Sequence, residues 1–299
     1  MNYLIVFLML FTFASAEEDT IFTKLKGIWE NKDEKGNVTL IQFENDRIRI
    51  CDDVGLNFYR AKYNKEKVWC FSESGPFAFD IKIINTGKFD LMNDGKLMPF
   101  TKTETPQPRL EIVPVVFGSE KPTAEEIKKI QDELIKRNKT DQEVRTKKEL
   151  SSKMHEVDQD NTKYLKEVTA KYGWIDAERF GVSSELTAFL IVQHSGDIPL
   201  MLTAITYIEK DVKAKKIDGQ DYALLYDRLN LFIGKKQKYG TQIGQGKNGP
   251  IVFPLEDKSK VEQFRKELGI FPLSQYLQFF EQGGKKASFQ EDEIPKENK

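Results

Sequence analysis

The chain has 299 residues, 39% hydrophobic and 31% charged, and its 46 Lys and Arg residues nearly cancel its 47 Asp and Glu residues. That length is enough for two domains at the usual size of about 100–200 residues each. Positive and negative residues are mixed throughout, and basic runs stop at pairs such as Lys235-Lys236, which argues against nucleic acid as a partner.

Residues 3–13 form an apolar run, followed by Ala14-Ser15-Ala16 and the acidic Glu17-Glu18-Asp19. This is the pattern of a secretory signal peptide, residues 1–16, cleaved after Ala16. At about 11 residues the run is too short to span a bilayer as a helix, which needs roughly 20. Elsewhere no apolar run approaches that length, so the expected mature protein is soluble and exported, secreted or periplasmic, without a transmembrane segment.

Residues 17–114 read as an antiparallel β domain. Short segments of alternating character lie at 38–43, 48–51, 57–63, 68–71, 77–84, 88–92 and 96–101. Turn residues such as Lys35-Gly36-Asn37 and Asn93-Asp94-Gly95 separate them. Regular spacing of this kind predicts a barrel or a sandwich. The entry Gly27-Ile28-Trp29 resembles the G-x-W start of lipocalin-like barrels, and the resemblance implies a closed barrel. An eight-stranded barrel either holds one small ligand or is filled by its own side chains. Cys51 and Cys70, the two cysteines of the chain, sit in strand-like segments. In an oxidising compartment they are expected to form a cross-strand disulfide worth roughly 3 kcal/mol; the alternative is two buried thiols. Their spacing is not that of a zinc site.

After Pro106, Pro108 and Pro114, a linker is expected at 115–121. From 122 to 282 the period becomes helical, starting with the stripe Ile127, Ile130, Leu134 and Ile135. Further helices are predicted at 141–156, 159–171, 183–195, 198–214, 219–235, 258–268 and 273–281. Glycines and prolines between 240 and 254 interrupt the run, with a strand at 251–253. The charged segment 283–299 is expected to be disordered. The fold class is thus α+β: a β-barrel or sandwich followed by a mainly α-helical domain.

Polar groups set among the helical stripes mark a candidate site. Leu186, Leu190 and His194 share one helix face, so His194 points along a buried stripe, whereas His155 lies among charges. A half-buried histidine is either a core residue satisfied by a carboxylate or a proton-transfer group. Asp227 or Asp197 can orient it. Asp227 and Arg228 leave their helix in different directions, so they cannot form one simple pair. Beyond Gly234, the segment Gln237, Tyr239, Thr241 and Gln242 offers uncharged donors and acceptors suited to a carbonyl, sugar or peptide ligand. Equally, it can be a loop knitted to the helices by its own hydrogen bonds. Gly240, Gly244, Gly246 and Gly249 lack phosphate-loop spacing, and no H-E-x-x-H pattern calls for a metal.

The blocks Asp141-Gln142-x-x-Arg145, Asp158-x-x-Asn161, Tyr172-Gly173-Trp174, Gln193-His194, Asp197, Tyr226-Asp227-Arg228 and Gly234-x-x-Gln237-x-Tyr239-Gly240-Thr241-Gln242 resemble the bacterial domain of unknown function 6624 over roughly 125–280. The resemblance implies a position for the site and no reaction. Met201 stands where the family usually has Gln, and Ile175 where it often has Pro.

Two functional readings follow. In the first, the helical domain binds a small polar ligand or a partner chain through Gln193, Asp197, Arg228, Gln237, Tyr239, Thr241 and Gln242. In the second, it is a hydrolase-like or transferase-like enzyme with His194 as acid or base and Asp227 beside it. No cofactor is called for.

Overall fold

A computed structural model describes residues 21–64, 67–93, 95–281 and 284–295. The signal-peptide segment lies outside the described residues. Eight strands follow the short helix α1 (Ile21–Leu25): β1 (Gly27–Lys32), β2 (Val38–Phe43), β3 (Arg47–Cys51), β4 (Leu56–Asn64), β5 (Lys67–Ser72), β6 (Gly75–Asn85), β7 (Lys88–Asn93) and β8 (Lys96–Thr103). Each pairs antiparallel with the next, and β1 pairs with β8, Trp29 opposite Lys102, to close the barrel. Closure removes the edges that a sandwich would leave.

Alternation decides what fills the barrel. Ile41 and Phe43 of β2, Val68 and Cys70 of β5, and Phe77, Phe79, Ile81 and Ile83 of β6 all point inward. Trp29, Phe43 and Phe100 surround Phe89 at ring-centroid distances of 4.8, 5.8 and 5.0 Å. Helix α1 covers that cluster, and Trp29 Nε1 donates to the Leu25 carbonyl. These side chains occupy the interior, as expected for a barrel of about eight strands.

The same alternation overturns the expected disulfide. Cys70 faces the barrel interior. Cys51 faces outward, packed with Leu40 and with Leu110 from a 3-10 turn at Pro108–Leu110. On the strand between them, Cys51 lies opposite Leu56 and Cys70 opposite Ala61, a separation of about 17 Å along the chain. Both are free, buried thiols, and burial raises the Cys70 pKa far above the usual thiol range.

The expected linker at 115–121 is docked: Gly118 and Glu120 donate to the Thr169 and Lys171 carbonyls, and Phe117 stacks on Trp174. Helices then follow as α2 (Ala124–Thr146), α3 (Met154–Tyr172), α4 (Ala177–Phe180), α5 (Val182–Ser195), α6 (Ile198–Lys213) and α7 (Gly219–Phe232). A hairpin of β9 (Ile243–Gly246) and β10 (Gly249–Val252) precedes α8 (Val261–Leu268), α9 (Leu273–Gln278) and β11 (Ser288–Phe289). The helix expected at 141–156 is divided: residues up to Thr146 finish α2, whose apolar stripe runs on through Leu134 to Val144, Lys148–Lys153 form a 3-10 helix, and α3 begins at Met154. The core gathers Leu134, Leu165, Ile175, Phe180, Val192, Leu200, Met201 and Leu225 from every helix between α2 and α7 and from the turn before α4.

At the start of α2, Thr123 and Glu126 form a reciprocal capping box. The Thr123 backbone N–H, the Tyr172 hydroxyl, the Thr123 hydroxyl and Lys171 all donate to Glu126, which holds its carboxyl down at about 2. A depressed carboxylate adds stability above its unfolded value, about 4.5, and loses it as pH falls through the folded value. Thermal melts of wild type and Glu126→Gln should therefore differ at pH 6 and converge near pH 2.

The tail expected to be disordered is ordered over 284–295. Ser288 and Phe289 pair in parallel with Ile251 and Val252, and the buried Asp292 carboxylate meets Arg60 Nε of the barrel at 3.0 and 3.1 Å. A segment poor in apolar groups is held here by a backbone ladder and an ion pair. The two domains also meet at Gly234. Its φ of +68° turns the chain behind α7 back against β4, where an added Cβ would lie 3.2 Å from the Phe58 Cβ and from the Tyr59 backbone. Arg47 Nη1 of β3 donates to the adjacent Ile233 carbonyl.

Candidate functional site

Asp141 and Arg145 lie one turn apart near the end of α2, so they project from the same side of that helix. Asp158 enters from the first turns of α3, and His194 from the last turn of α5. The four meet. Asp141 Oδ1 lies 3.1 Å from His194 Nδ1, and the carboxylate accepts from Arg145 Nε at 3.2 and 3.3 Å and from Nη2 at 3.1 Å. Arg145 Nη2 also donates to Asp158.

Asp141 is only 2% exposed. Burial pushes its pKa up, but the hydrogen bonds from His194 and Arg145 outweigh burial and hold the carboxyl below its usual range. Asp158 moves the other way, because burial there exceeds the offset from Arg145. An ionised carboxylate can only accept, so the proton of the contact sits on His194 Nδ1, and Nε2 of the neutral ring is the acceptor. Among the described residues Nε2 has no hydrogen-bond partner. Histidine oriented in this way, with its second nitrogen open, is equipped for hydrogen bonding to a ligand or for proton transfer.

One ligand atom from each of Asp141, Asp158 and His194 lies within 4.8 Å of the others, enough for three ligands to a metal ion. Arg145 bonds both carboxylates and supplies one positive charge between them.

Arg228 of α7 is half-buried beside this cluster. It donates from Nε to Gln242 Oε1 at 3.0 Å and from Nη1 to the Gln193 carbonyl at 2.8 Å. Burial disfavours its charge; Glu73, on the β5–β6 turn, offsets that, while Arg145 adds repulsion. Among the described residues no carboxylate lies within ion-pair distance of Arg228. Gln193 is 5% exposed; its Nε2 reaches the Leu224 carbonyl, and its Oε1 is buried without a donor.

The structure places the other sequence candidates as framework. Asp227 is fully buried and accepts from the N–H groups of Lys238, Tyr239 and Thr241 at 2.7, 3.0 and 2.9 Å, and from the Thr241 hydroxyl at 2.9 Å. It faces this loop and not His194. Gln237 donates to the carbonyls of Gln242 and Phe253 and accepts from the Gln242 N–H. Arg265, also fully buried, holds the Tyr239 carbonyl, and the Tyr276 hydroxyl holds that of Thr241. The segment is therefore a knitted loop from which the Gln242 side chain alone reaches Arg228. Asp197 caps α6 through the Leu200 N–H and pairs with Lys166 at 2.7 Å. Met201 is buried in the apolar core, so it presents nothing to a ligand. Sequence reasoning did not assign Asp141, Arg145 and Asp158 to the site. The available signals were the i, i+4 spacing of Asp141 and Arg145 and the presence of all three in the blocks that carry the resemblance.

The model of a family described as "Family of unknown function (DUF6624)" matches residues 128–286, more than half of the chain. The chain belongs to this family. Every residue of the cluster lies within the DUF6624 match, while the barrel precedes it. A solved structure described as a lipocalin-like protein from Bacteroides uniformis ATCC 8492 is similar at 14% identity and a TM-score of 0.22, covering 27% of this chain and 99% of that one. No curated protein matches.

Proposed function

We propose that the helical domain binds a small polar ligand carrying an acidic or carbonyl oxygen at the cluster of His194, Asp141, Arg145, Asp158, Gln193, Arg228 and Gln242. The observation that carries this reading is Arg228. A half-buried cation is normally paired, yet this one is engaged by neutral oxygens only. An oxygen of the ligand completes its coordination, and the unpaired Gln193 Oε1 accepts from a ligand N–H or O–H. Asp227, Gln237, Tyr239 and Thr241 act indirectly, by fixing the loop that delivers Gln242. In line with the sequence pattern at its start, the protein works after export, and among the described residues no helix is long and apolar enough to cross a membrane.

A second reading has its own observation. The 3.1 Å contact between Asp141 and His194 Nδ1 fixes one tautomer and equips Nε2 as a general base, with Arg228 near the charge that would develop. This is the arrangement of a hydrolase-like or transferase-like site.

The test is a thermal-shift screen of the full chain against organic acids, sugars and short peptides, wild type beside Arg228→Ala. A ligand that raises the wild-type melting temperature and binds Arg228→Ala at least tenfold more weakly, about 1.4 kcal/mol, supports the reading. A ligand bound equally by both proteins contradicts it. Turnover of such a ligand that is lost in His194→Gln, with binding retained, selects the second reading.

A further inference from the structure

We propose that the seam between the barrel and the helical domain is a second binding site, for a small organic dianion such as a phosphate ester or a dicarboxylate. A cavity of about 610 Å³ opens there, within the usual range for small-molecule sites of roughly 300–1,000 Å³. Both domains build it, and its walls are basic. β3 and β4 contribute Arg47, Arg60 and Lys62, and the turn behind α7 contributes Lys235 and Lys236. Against these five cations stand three carboxylates, Asp46, Glu256 and Asp292.

The cations are not equally engaged. Arg47 is met by Glu44 and the Ile233 carbonyl. Arg60 grips both oxygens of Asp292, and Lys62 donates to the Asp292 carbonyl oxygen. Lys235 and Lys236 have no ion-pair partner among the described residues. Their place is dictated by Gly234, whose left-handed turn presses on β4 and brings the lysine pair to the barrel.

The Arg60–Asp292 contact is a built example of what this wall holds: a carboxylate, 5% exposed, bound by a guanidinium. Beside it, a ligand with two negative charges matches Lys235 and Lys236, the two lining cations with no ion-pair partner among the described residues. Asp46 and Glu256 on the rim disfavour a longer polyanion through like-charge repulsion. Tyr226 and Asn230, which also line the cavity, add neutral hydrogen-bonding groups. Tyr226 and Asn230 flank the Asp227-Arg228 step on α7, so one helix serves both this cavity and the His194 cluster.

The experiment is calorimetric titration of the full chain with inorganic phosphate and, separately, with succinate, at constant ionic strength. We expect at least one probe to bind with Kd at or below about 1 mM. Binding of phosphate alone identifies a phosphate ester as the natural class, and binding of succinate alone a dicarboxylate. The double variant Lys235→Ala/Lys236→Ala should keep the wild-type melting temperature, since Lys235 is exposed and Lys236 half-buried, and bind the probe at least tenfold more weakly. Arg228→Ala should bind it as wild type does, which separates this cavity from the His194 cluster. Failure of both probes, equal affinity in the double variant, or loss of binding in Arg228→Ala overturns the proposal.

Discussion

Asp227→Ala is expected to lower the unfolding free energy by about 3–5 kcal/mol, the range for stripping the partner from a buried charged network. The reasoning is local. Three backbone N–H groups and one hydroxyl converge on a carboxylate that is 0% exposed. Burial pushes this carboxyl's pKa up, opposed by the N–H groups of Tyr239, Thr241 and Lys238 and by the Thr241 hydroxyl. Burial outweighs these bonds and leaves the pKa raised, yet four donors and no acceptor suit a carboxylate better than a carboxylic acid. Removing the oxygens leaves the three N–H groups buried and unpaired, at about 1–3 kcal/mol each before relaxation, while the Thr241 hydroxyl keeps the Ala223 carbonyl. The loop then loses its anchor, and Gln242 loses its aim at Arg228. Asp227→Asn keeps one acceptor and sets an amide against donors, so it should fall between alanine and wild type. Urea unfolding at neutral pH measures both; a loss below about 1 kcal/mol for alanine would show that the loop stands without Asp227.

The second large effect is expected from Arg145→Ala. Asp141 and Asp158 share this guanidinium, and without it two carboxylates face each other beside His194. Like charges at this range disfavour joint ionisation, so the variant should lose about 3 kcal/mol near neutral pH, and less in mild acid, where Asp158 takes up a proton first. It should also gain a property. Zinc accepts carboxylate oxygen and imidazole nitrogen as ligands, and three such atoms remain within 4.8 Å of one another. Zinc at a hundredfold excess over its Kd should then restore about 2.7 kcal/mol to Arg145→Ala and leave wild type unmoved. Equal stabilisation of both proteins would mean that Arg145 does not occupy the cation position.

The barrel and the helices were legible because their signals are local. In β6 every second residue from Phe77 to Ile83 turns inward, and α2 carries its stripe from Ile130 to Val144. The disulfide expectation failed on a signal of the same kind. Ile48 and Ile50 pack into the barrel core, so Cys51 has the outward parity, while Cys70 shares the inward parity of Val68. Two cysteines near in sequence bridge only when their side chains share a face. The order of the tail is hidden for a different reason: composition reports missing apolar area, whereas Asp292 is held by Arg60, 232 residues upstream.

The site was legible only in part. His194, Arg228 and Gln242 stood out as polar groups inside apolar stripes. The partner of His194 lies 53 residues upstream on another helix, and no local period reports such a contact. Asp227 was a natural choice by type, but the reversal at Gly234 brings the 238–241 backbone under α7, and those N–H groups take the carboxylate first.

The site depends on Asp141 fixing the His194 ring with Nδ1 protonated and Nε2 open. The chain has two histidines, so His155→Gln leaves a single ring to observe by nitrogen-15 NMR. At a pH where that ring is neutral, the Asp141 contact predicts the tautomer with hydrogen on Nδ1, and a mixture of tautomers once Asp141→Asn removes the charge. A neutral ring with hydrogen on Nε2 and a bare Nδ1 would contradict it.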